Sequence, residues 1–198
     1  MGVSLADVKK LKELTGVGLG DAKNALVEAD GDFDKALEEM RKKGLTKAEK
    51  KGDRETREGV IDAYVHSGRI GVVVEVNCET DFVARLDDFK EFAHQMAMQV
   101  AAMAPVYPTL EDVPADIYDA KKQELLAAED LASKPADIRD KIVEGQLSKY
   151  FADQVLTEQV FVLDDSKTVG ERIKEQIAKS GENIRVSQFR RIELGVTE

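Results

Sequence analysis

The 198-residue chain is long enough for one good core, or for a core and a small satellite. With 42% hydrophobic and 34% charged residues it has the make-up of a soluble globular protein, and its net charge of −10 argues against bulk electrostatic binding of nucleic acid. No run of about 18 apolar residues suggests a membrane span, and "MGVSLADVKK" lacks the apolar core and cleavage site of a signal peptide, so a cytoplasmic protein is expected. Gly2 follows Met1, but Leu5, Ala6 and Asp7 suit a helix start better than a lipidation signal.

The first 44 residues read as three short helices. Ser4 and Asp7 match a capping box, and Leu5, Val8 and Leu11 then share a face. Gly16 and Gly18 break that helix, and Leu19, Ala22, Leu26 and Ala29 recur at helical spacing in the second. Gly31 ends it, Asp32 caps the third, Phe33, Ala36, Leu37 and Met40 form its apolar side, and Gly44 is placed to stop it. Three inward faces make a minimal bundle resembling ubiquitin-associated modules. Residues 45–57, "LTKAEKKGDRETR", carry almost no apolar side chains and read as a linker or an exposed helical extension, with few contacts expected across it. Arg41 to Arg57 holds eight of the 29 basic residues, a run more typical of a solvated segment than of a nucleic-acid patch.

From residue 58 to 198 the pattern changes. "GVIDAYVH" and "RIGVVVEVNC" are rich in β-branched residues and are joined by Ser67-Gly68, which predicts a β-hairpin. "IRVSQFRRIEL" is a third strand candidate near the C-terminus. Phe89 to Met103 is an amphipathic helix ended by Pro105, and His94 flanks its apolar stripe. Asp116–Leu131 and Ala136–Phe151 flank Lys134-Pro135 and predict an antiparallel helical hairpin over about 115–152. Thr168 and Glu171 form a capping box for a helix through Lys179, which Gly181 stops. The predicted fold class is α+β: a three-helix module at 1–44, a linker at 45–57, and a small antiparallel sheet covered by helices.

Candidate chemistry is sparse. Cys78 is the only cysteine, which excludes an intramolecular disulfide and a Cys-based zinc site, and it reads as a small buried hydrophobe at a strand end. His66 and His94 are the only imidazoles; His66 sits at a hairpin end, open to a partner. "TGVGLGDAK" is no P-loop, because no Gly-Lys-Ser/Thr follows, and no dinucleotide fingerprint, because a helix precedes it. The unusual stretch is "VEVNCETDFVARLDDF", residues 74–89, which begins as a strand and ends as a helix. Asp81 is a natural N-cap there, which leaves Phe82 either covering the core or projecting as an anchor for a partner's pocket.

"LKELTGVGLGDAKNAL" (Leu11–Leu26) and "EVNCETDFVAR" (Glu75–Arg85) closely resemble the two signature segments of the bacterial elongation factor Ts family. "EGVIDAYVHSGRIGV" and "DDSKTVGERI" fit the same family in order and separation. The chain looks like a short form, with one sheet-bearing core unit where longer members have two. The resemblance implies a guanine-nucleotide exchange factor for elongation factor Tu, which acts by binding, without covalent chemistry or a cofactor of its own. It implies that Thr80, Asp81, Phe82 and Val83 push against the GTPase and dislodge its Mg²⁺. It also implies that Lys12, Leu19, Gly20 and Lys23 lie in or near a docking surface, with His66 turned toward the partner. Gly20 departs from the pattern of longer members, which carry a large apolar residue there. Rival readings are a ubiquitin-associated-like adaptor that binds without driving exchange and a hydrolase using Cys78 and His66. A homodimer through the core is also expected, because Val186 and Ile192 alternate onto one face of the last strand and Phe189 onto the other, so that both faces would be covered.

Overall fold

The computed structural model describes residues 3–15, 17–49, 51–128 and 135–196, with the side chains of residues 41, 43–49 and 136 left aside. Gly16, Leu131 and Lys134, read above as helix boundaries, lie outside the described residues.

The N-terminal helices are α1 (Leu5–Thr15), α2 (Leu19–Glu28) and α3 (Phe33–Glu49). The Ser4 hydroxyl accepts the Ala6 N–H at 3.1 Å, and Asp32 Oδ1 accepts the Lys35 N–H at 3.0 Å, so both predicted caps are used, the first on Ala6 rather than Asp7. Gly31, at φ 83°, closes α2, its N–H donating to the Leu26 carbonyl at 2.8 Å. Val8, Leu11, Ala22, Ala25, Leu26, Ala36 and Met40 form a separate small core. Gly44 does not stop α3, which continues to Glu49. A mid-helix glycine costs about 1 kcal/mol, and α3 packs along a core helix, which offsets it.

The sheet is β1 (Glu58–His66), β2 (Ile70–Cys78) and β5 (Ile184–Glu193), antiparallel, in the order β1–β2–β5. Ser67 and Gly68, with φ 51° and 66°, make the tight turn, because a two-residue hairpin loop of matching twist needs positive φ at both positions. Between the strands run α4 (Asp81–Ala84), α5 (Asp87–Met103), α6 (Ala115–Leu126), α7 (Ala136–Phe151), the short strands β3 (Val160–Phe161) and β4 (Asp164–Thr168), and α8 (Val169–Ser180). The reciprocal Thr168–Glu171 capping box starts α8, with bonds of 2.9 and 3.2 Å, and Gly181 at φ 80° ends it. Sequence reading missed β3 and β4, which form their own two-stranded ribbon.

One face of the sheet supplies Val72, Val74, Val76, Cys78, Ile184, Val186 and Phe189 to the main core. Against it lie Phe89, Phe92, Met96 and Val100 of α5 and Ile173 and Ile177 of α8. The irregular alternation of β5 has a local cause. Glu75 pairs with Gln188 and Val76 with Val186, so Ser187 is an inserted bulge residue. The bulge turns Val186 and Phe189 to the same, inner side, and Phe189 is only 9% exposed. Phe189 therefore belongs to the protomer's own core, contrary to the expectation that it covers a second face. The helical hairpin α6–α7 has a third core of Val113, Val143, Leu147, Phe151 and Val155. Tyr118 near the start of α6 stacks on Phe151 at the end of α7, centroids 6.1 Å apart, as antiparallel helices require.

The N-terminal helices do not hang free. Between α1, α3 and α8 lies a cavity of about 190 Å³ edged by Leu14, Val17, Met40, Arg172, Gln176 and Lys179. The polar stretch after α3 is also fastened, with Lys51 Nζ donating to the Gly181 carbonyl at 2.6 Å.

Candidate functional site

β2 delivers the chain to Cys78, and Glu79 and Thr80 carry it beyond the end of this central strand into the single turn α4. Thr80, extended at φ −129° and ψ 154°, is the N-cap of α4; Asp81, expected there, is the first helical residue. The Asp81 side chain lies along the helix surface instead, its Oδ2 2.7 Å from Nη2 of Arg85. Val83 and Ala84 are buried in the main core. Phe82 points the other way and is 78% exposed. A single helical turn can bury only one side, and here that side is Val83–Ala84, which leaves the aromatic ring in solvent. Of the four residues singled out, Phe82 and Asp81 are presented outward, while Thr80 and Val83 hold the turn to the body.

Cys78 is fully buried, and its thiol donates to the Thr80 carbonyl at 3.2 Å. Burial, with the Glu182 carboxylate as a second cause, pushes its pKa up to about 11, so it is a thiol and not a nucleophile at neutral pH. The strand register puts Cys78 opposite Glu58 and His66 opposite Ile70, at opposite ends of the hairpin. At about 3.3 Å per residue the two side chains are separated by roughly 25 Å, which removes the Cys78–His66 hydrolase reading.

At that far end His66 is exposed and its Nδ1 lies 2.9 Å from the Tyr64 hydroxyl. Beside it opens a cavity of about 330 Å³, edged by Tyr64, Ile70, Met98, Ala101 and Arg191. His94 serves the fold: its Nδ1 lies 2.8 Å from Asp62 Oδ2, and its ring packs edge-on against Tyr64, which joins α5 to β1.

In the N-terminal module Lys12 is exposed on α1, and Leu19, Gly20 and Lys23 are exposed on the first turns of α2. Nothing stands within 4 Å of where a Gly20 side chain would begin, so the glycine is not required by packing within the chain. The candidate residues thus form three groups: the α4 turn, the α1–α2 surface, and the hairpin tip. Among the described residues no cluster of three or more His, Cys, Asp or Glu could hold a metal ion. Sequence reading missed Glu182, whose carboxylate accepts the Glu79 N–H at 3.1 Å, the Thr80 N–H at 3.0 Å and the Thr80 hydroxyl at 2.6 Å. About a hundred positions separate these partners, and nothing local to Gly181-Glu182 marks the pairing.

The sequence profile of the family described as elongation factor TS matches residues 45–196. The chain is 55% identical over 196 residues to the elongation factor Ts of Thermotoga petrophila, an alignment covering 98% of each. It is 52% identical over 196 residues to that of Fervidobacterium nodosum, covering 98% of this chain and all of the relative. It is 50% identical over the same length to that of Coprothermobacter proteolyticus, with 98% and 100% covered. With the family profile matched over residues 45–196 and relatives of matching length along 98% of the chain, the protein belongs to the elongation factor Ts family, in its short bacterial form.

Proposed function

We propose that this chain is a cytoplasmic guanine-nucleotide exchange factor in translation elongation, which binds elongation factor Tu in its GDP-bound and nucleotide-free forms and promotes GDP release. The observation that carries the reading is Phe82, an aromatic ring exposed to 78% on a turn whose other side is buried. An isolated, exposed aromatic on a firm base is the kind of group that fills a partner's pocket and dominates binding energy. Thr80, Asp81, Phe82 and Val83 together form the element that dislodges Mg²⁺ from the GTPase. Phe82 enters the partner, Asp81 flanks it, and Thr80 and Val83 resist its recoil. Lys12, Leu19, Gly20 and Lys23 dock the N-terminal module on the same partner, and His66 makes a third contact at the hairpin tip.

The physics is linkage. A factor that binds the empty GTPase better than the Mg²⁺·GDP form lowers GDP affinity by the same ratio. Mg²⁺ demands near-ideal octahedral geometry, so a small displacement of one ligand is costly. One buried Phe supplies roughly 1.5–3 kcal/mol, and each ~1.4 kcal/mol is about tenfold in affinity. The ring alone therefore accounts for roughly ten- to a hundredfold, and the other two surfaces contribute the rest. No covalent step is needed, which agrees with a buried, protonated Cys78. The direct test is release of a fluorescent GDP from elongation factor Tu in the presence of excess GDP. Acceleration by catalytic amounts of this chain supports exchange, whereas binding that ignores nucleotide state and leaves the rate unchanged would favour the adaptor reading.

The assembly reading is a homodimer through the sheet. Its outer face carries Ile61 at 73%, Ile192 at 74%, and Val65 and Val73, all exposed. These four lie beside Glu75, Asn77, Gln188 and Arg190 on the same face, and a sheet face that mixes exposed aliphatic residues with polar ones is suited to packing against a copy of itself about a two-fold axis. The contact residues are those of the outer face, and Phe189 is not among them. A light-scattering mass of about twice the 21.9 kDa chain at micromolar concentration supports it, and a concentration-independent monomer mass refutes it.

A further inference from the structure

We propose that the Glu182-Asn183 loop is a positioning element, which fixes the turn carrying Phe82 and sets it relative to the segment leading from the N-terminal module. The inference rests on the exchange reading above and adds Glu182 and Asn183 to the residues that serve it.

The turn needs such an element. α4 has four residues, too few for an isolated helix to persist in water. Val83 and Ala84 anchor it from below, but Glu79 and Thr80, which lead into it, are only half-buried. Their backbone N–H groups point away from the sheet ladder and require an acceptor. Glu182 supplies it: one carboxylate oxygen takes both N–H groups and the other takes the Thr80 hydroxyl. Bonds to an ionised acceptor are about twice as strong as neutral ones. The next residue answers in kind, the Asn183 N–H donating to Glu79 Oε1 at 2.6 Å. The two short segments thus clasp each other from both sides.

The same loop holds the chain that arrives from α3. The buried Asn183 side chain donates to the Gly52 carbonyl at 3.0 Å and to the Arg54 carbonyl at 2.8 Å. Lys51 reaches the Gly181 carbonyl, and Arg54 Nη1 lies 3.4 Å from Glu79 Oε1. Three consecutive residues, Gly181 to Asn183, therefore carry both the path from the docking module and the base of the Phe82 turn. A ring that must displace part of a partner transmits force only if its mount is stiff; a soft mount yields instead. Pre-ordering also removes an entropy cost from the complex. Glu182 governs how hard the ring pushes, and Asn183 governs how the two surfaces are spaced.

The chain contains no tryptophan, so Phe82→Trp introduces a single reporter at the ring itself. Time-resolved anisotropy of that indole, with and without Glu182→Ala, reads the stiffness of the mount in the free full-length protein. Stimulated release of fluorescent GDP from elongation factor Tu, titrated with Glu182→Ala, Glu182→Gln and Asn183→Ala in proteins that keep Phe82, reads the consequence. The expected result is a larger fast anisotropy component in Glu182→Ala, and a maximal release rate at least fivefold lower with the half-saturating concentration within twofold. Glu182→Gln, which keeps an acceptor for the two N–H groups and an amide for the hydroxyl, stays within threefold of the unmodified rate. Asn183→Ala raises the half-saturating concentration at least threefold. If Glu182→Ala does not fold, Thr80→Val removes one of the three bonds and is expected to shift both readings in the same direction by less. Unchanged anisotropy of the introduced tryptophan, or equal losses in Glu182→Gln and Glu182→Ala, would overturn the proposal. A Phe82→Ala variant with full exchange would sink the wedge reading instead, and the anisotropy would still decide whether the loop fixes the turn.

Discussion

Two exposed apolar features of this protein look alike in composition and differ in build. Phe82 stands alone on a one-turn helix, with a buried Val83–Ala84 base and a carboxylate gripping the residues that lead into it. The outer sheet face spreads Ile61, Val65, Val73 and Ile192 over three strands. A lone ring on a firm mount is suited to entering a pocket; a flat, shared face is suited to meeting another flat face. Exposure by itself does not separate these uses. What separates them is whether the neighbours of the exposed group are spent on holding it in place.

The largest effect is expected at Gly59, which lies at the start of β1. A Cβ there would stand 2.2 Å from the Val76 carbonyl oxygen and 2.8 Å from the Asn77 Cα, both backbone atoms that cannot step aside. Gly59→Ala is expected to destabilise the fold by about 3 kcal/mol or more, and to remove both features together, since β1–β2 pairing supports each. Denaturant unfolding measures it; a loss under about 1 kcal/mol would mean that the strand ends are looser than their register implies. The double change Ile61→Asp and Ile192→Asp separates the two features. If the outer face joins two copies, the change reduces the light-scattering mass from that of two chains to that of one, and it is expected to leave stimulated GDP release per chain within twofold. A fall in exchange equal to that of a Phe82 variant would merge the two surfaces into one.

Acid acts next, on the contacts between α5 and α8. Asp88, at the start of α5, is opposed by its partial burial, but hydrogen bonds from Lys179 and Gln176 of α8 and the positive charge of Lys179 outweigh this and hold its pKa below the usual carboxylate value. Because the folded pKa is depressed, the contribution is fully present above the unfolded value near 4 and is lost as pH falls through the lower, folded one. Asp164, brought down to about 2 by the Ser166 hydroxyl and Lys167, follows the same sign on the β3–β4 ribbon. The melting temperature should fall below about pH 4, and Asp88→Asn should flatten that fall. A melting temperature that rises on acidification would reverse the assigned sign. The smallest effect concerns Gly20. Its open surroundings predict that Gly20→Ala raises stability by a few tenths of a kcal/mol through helix propensity, and a thermal melt showing destabilisation would mean that the first turn of α2 is not helical in solution.

The helices were legible because an inward stripe at 3.6-residue spacing is a local property: Leu19, Ala22 and Leu26 need no distant partner to be read. The Ser67-Gly68 turn and the Thr168–Glu171 box are local for the same reason. What escaped depends on contacts between remote segments. Gly44 looks like a stop until α3 is laid along α8. Residues 51–54 look unattached until Asn183 takes the Gly52 and Arg54 carbonyls. Val186 and Ile192 look as if they share a face until the bulge at Ser187 puts Val186 on the inner side with Phe189 and leaves Ile192 outside. At the site, the Thr80–Val83 stretch is legible as a strand-to-helix junction that carries an acid beside an aromatic. Which of its residues faces outward, and that Glu182 secures it, follows only from the folded chain.

The most direct measurement is stimulated release of fluorescent GDP from elongation factor Tu by the Phe82→Ala protein, beside its melting curve. A release rate at least tenfold lower at saturating factor is predicted, with far-UV circular dichroism and melting temperature nearly unchanged, since a ring in solvent contributes little to the fold. Full exchange activity in the variant, or a variant that loses activity only because it unfolds, would contradict the wedge role of Phe82.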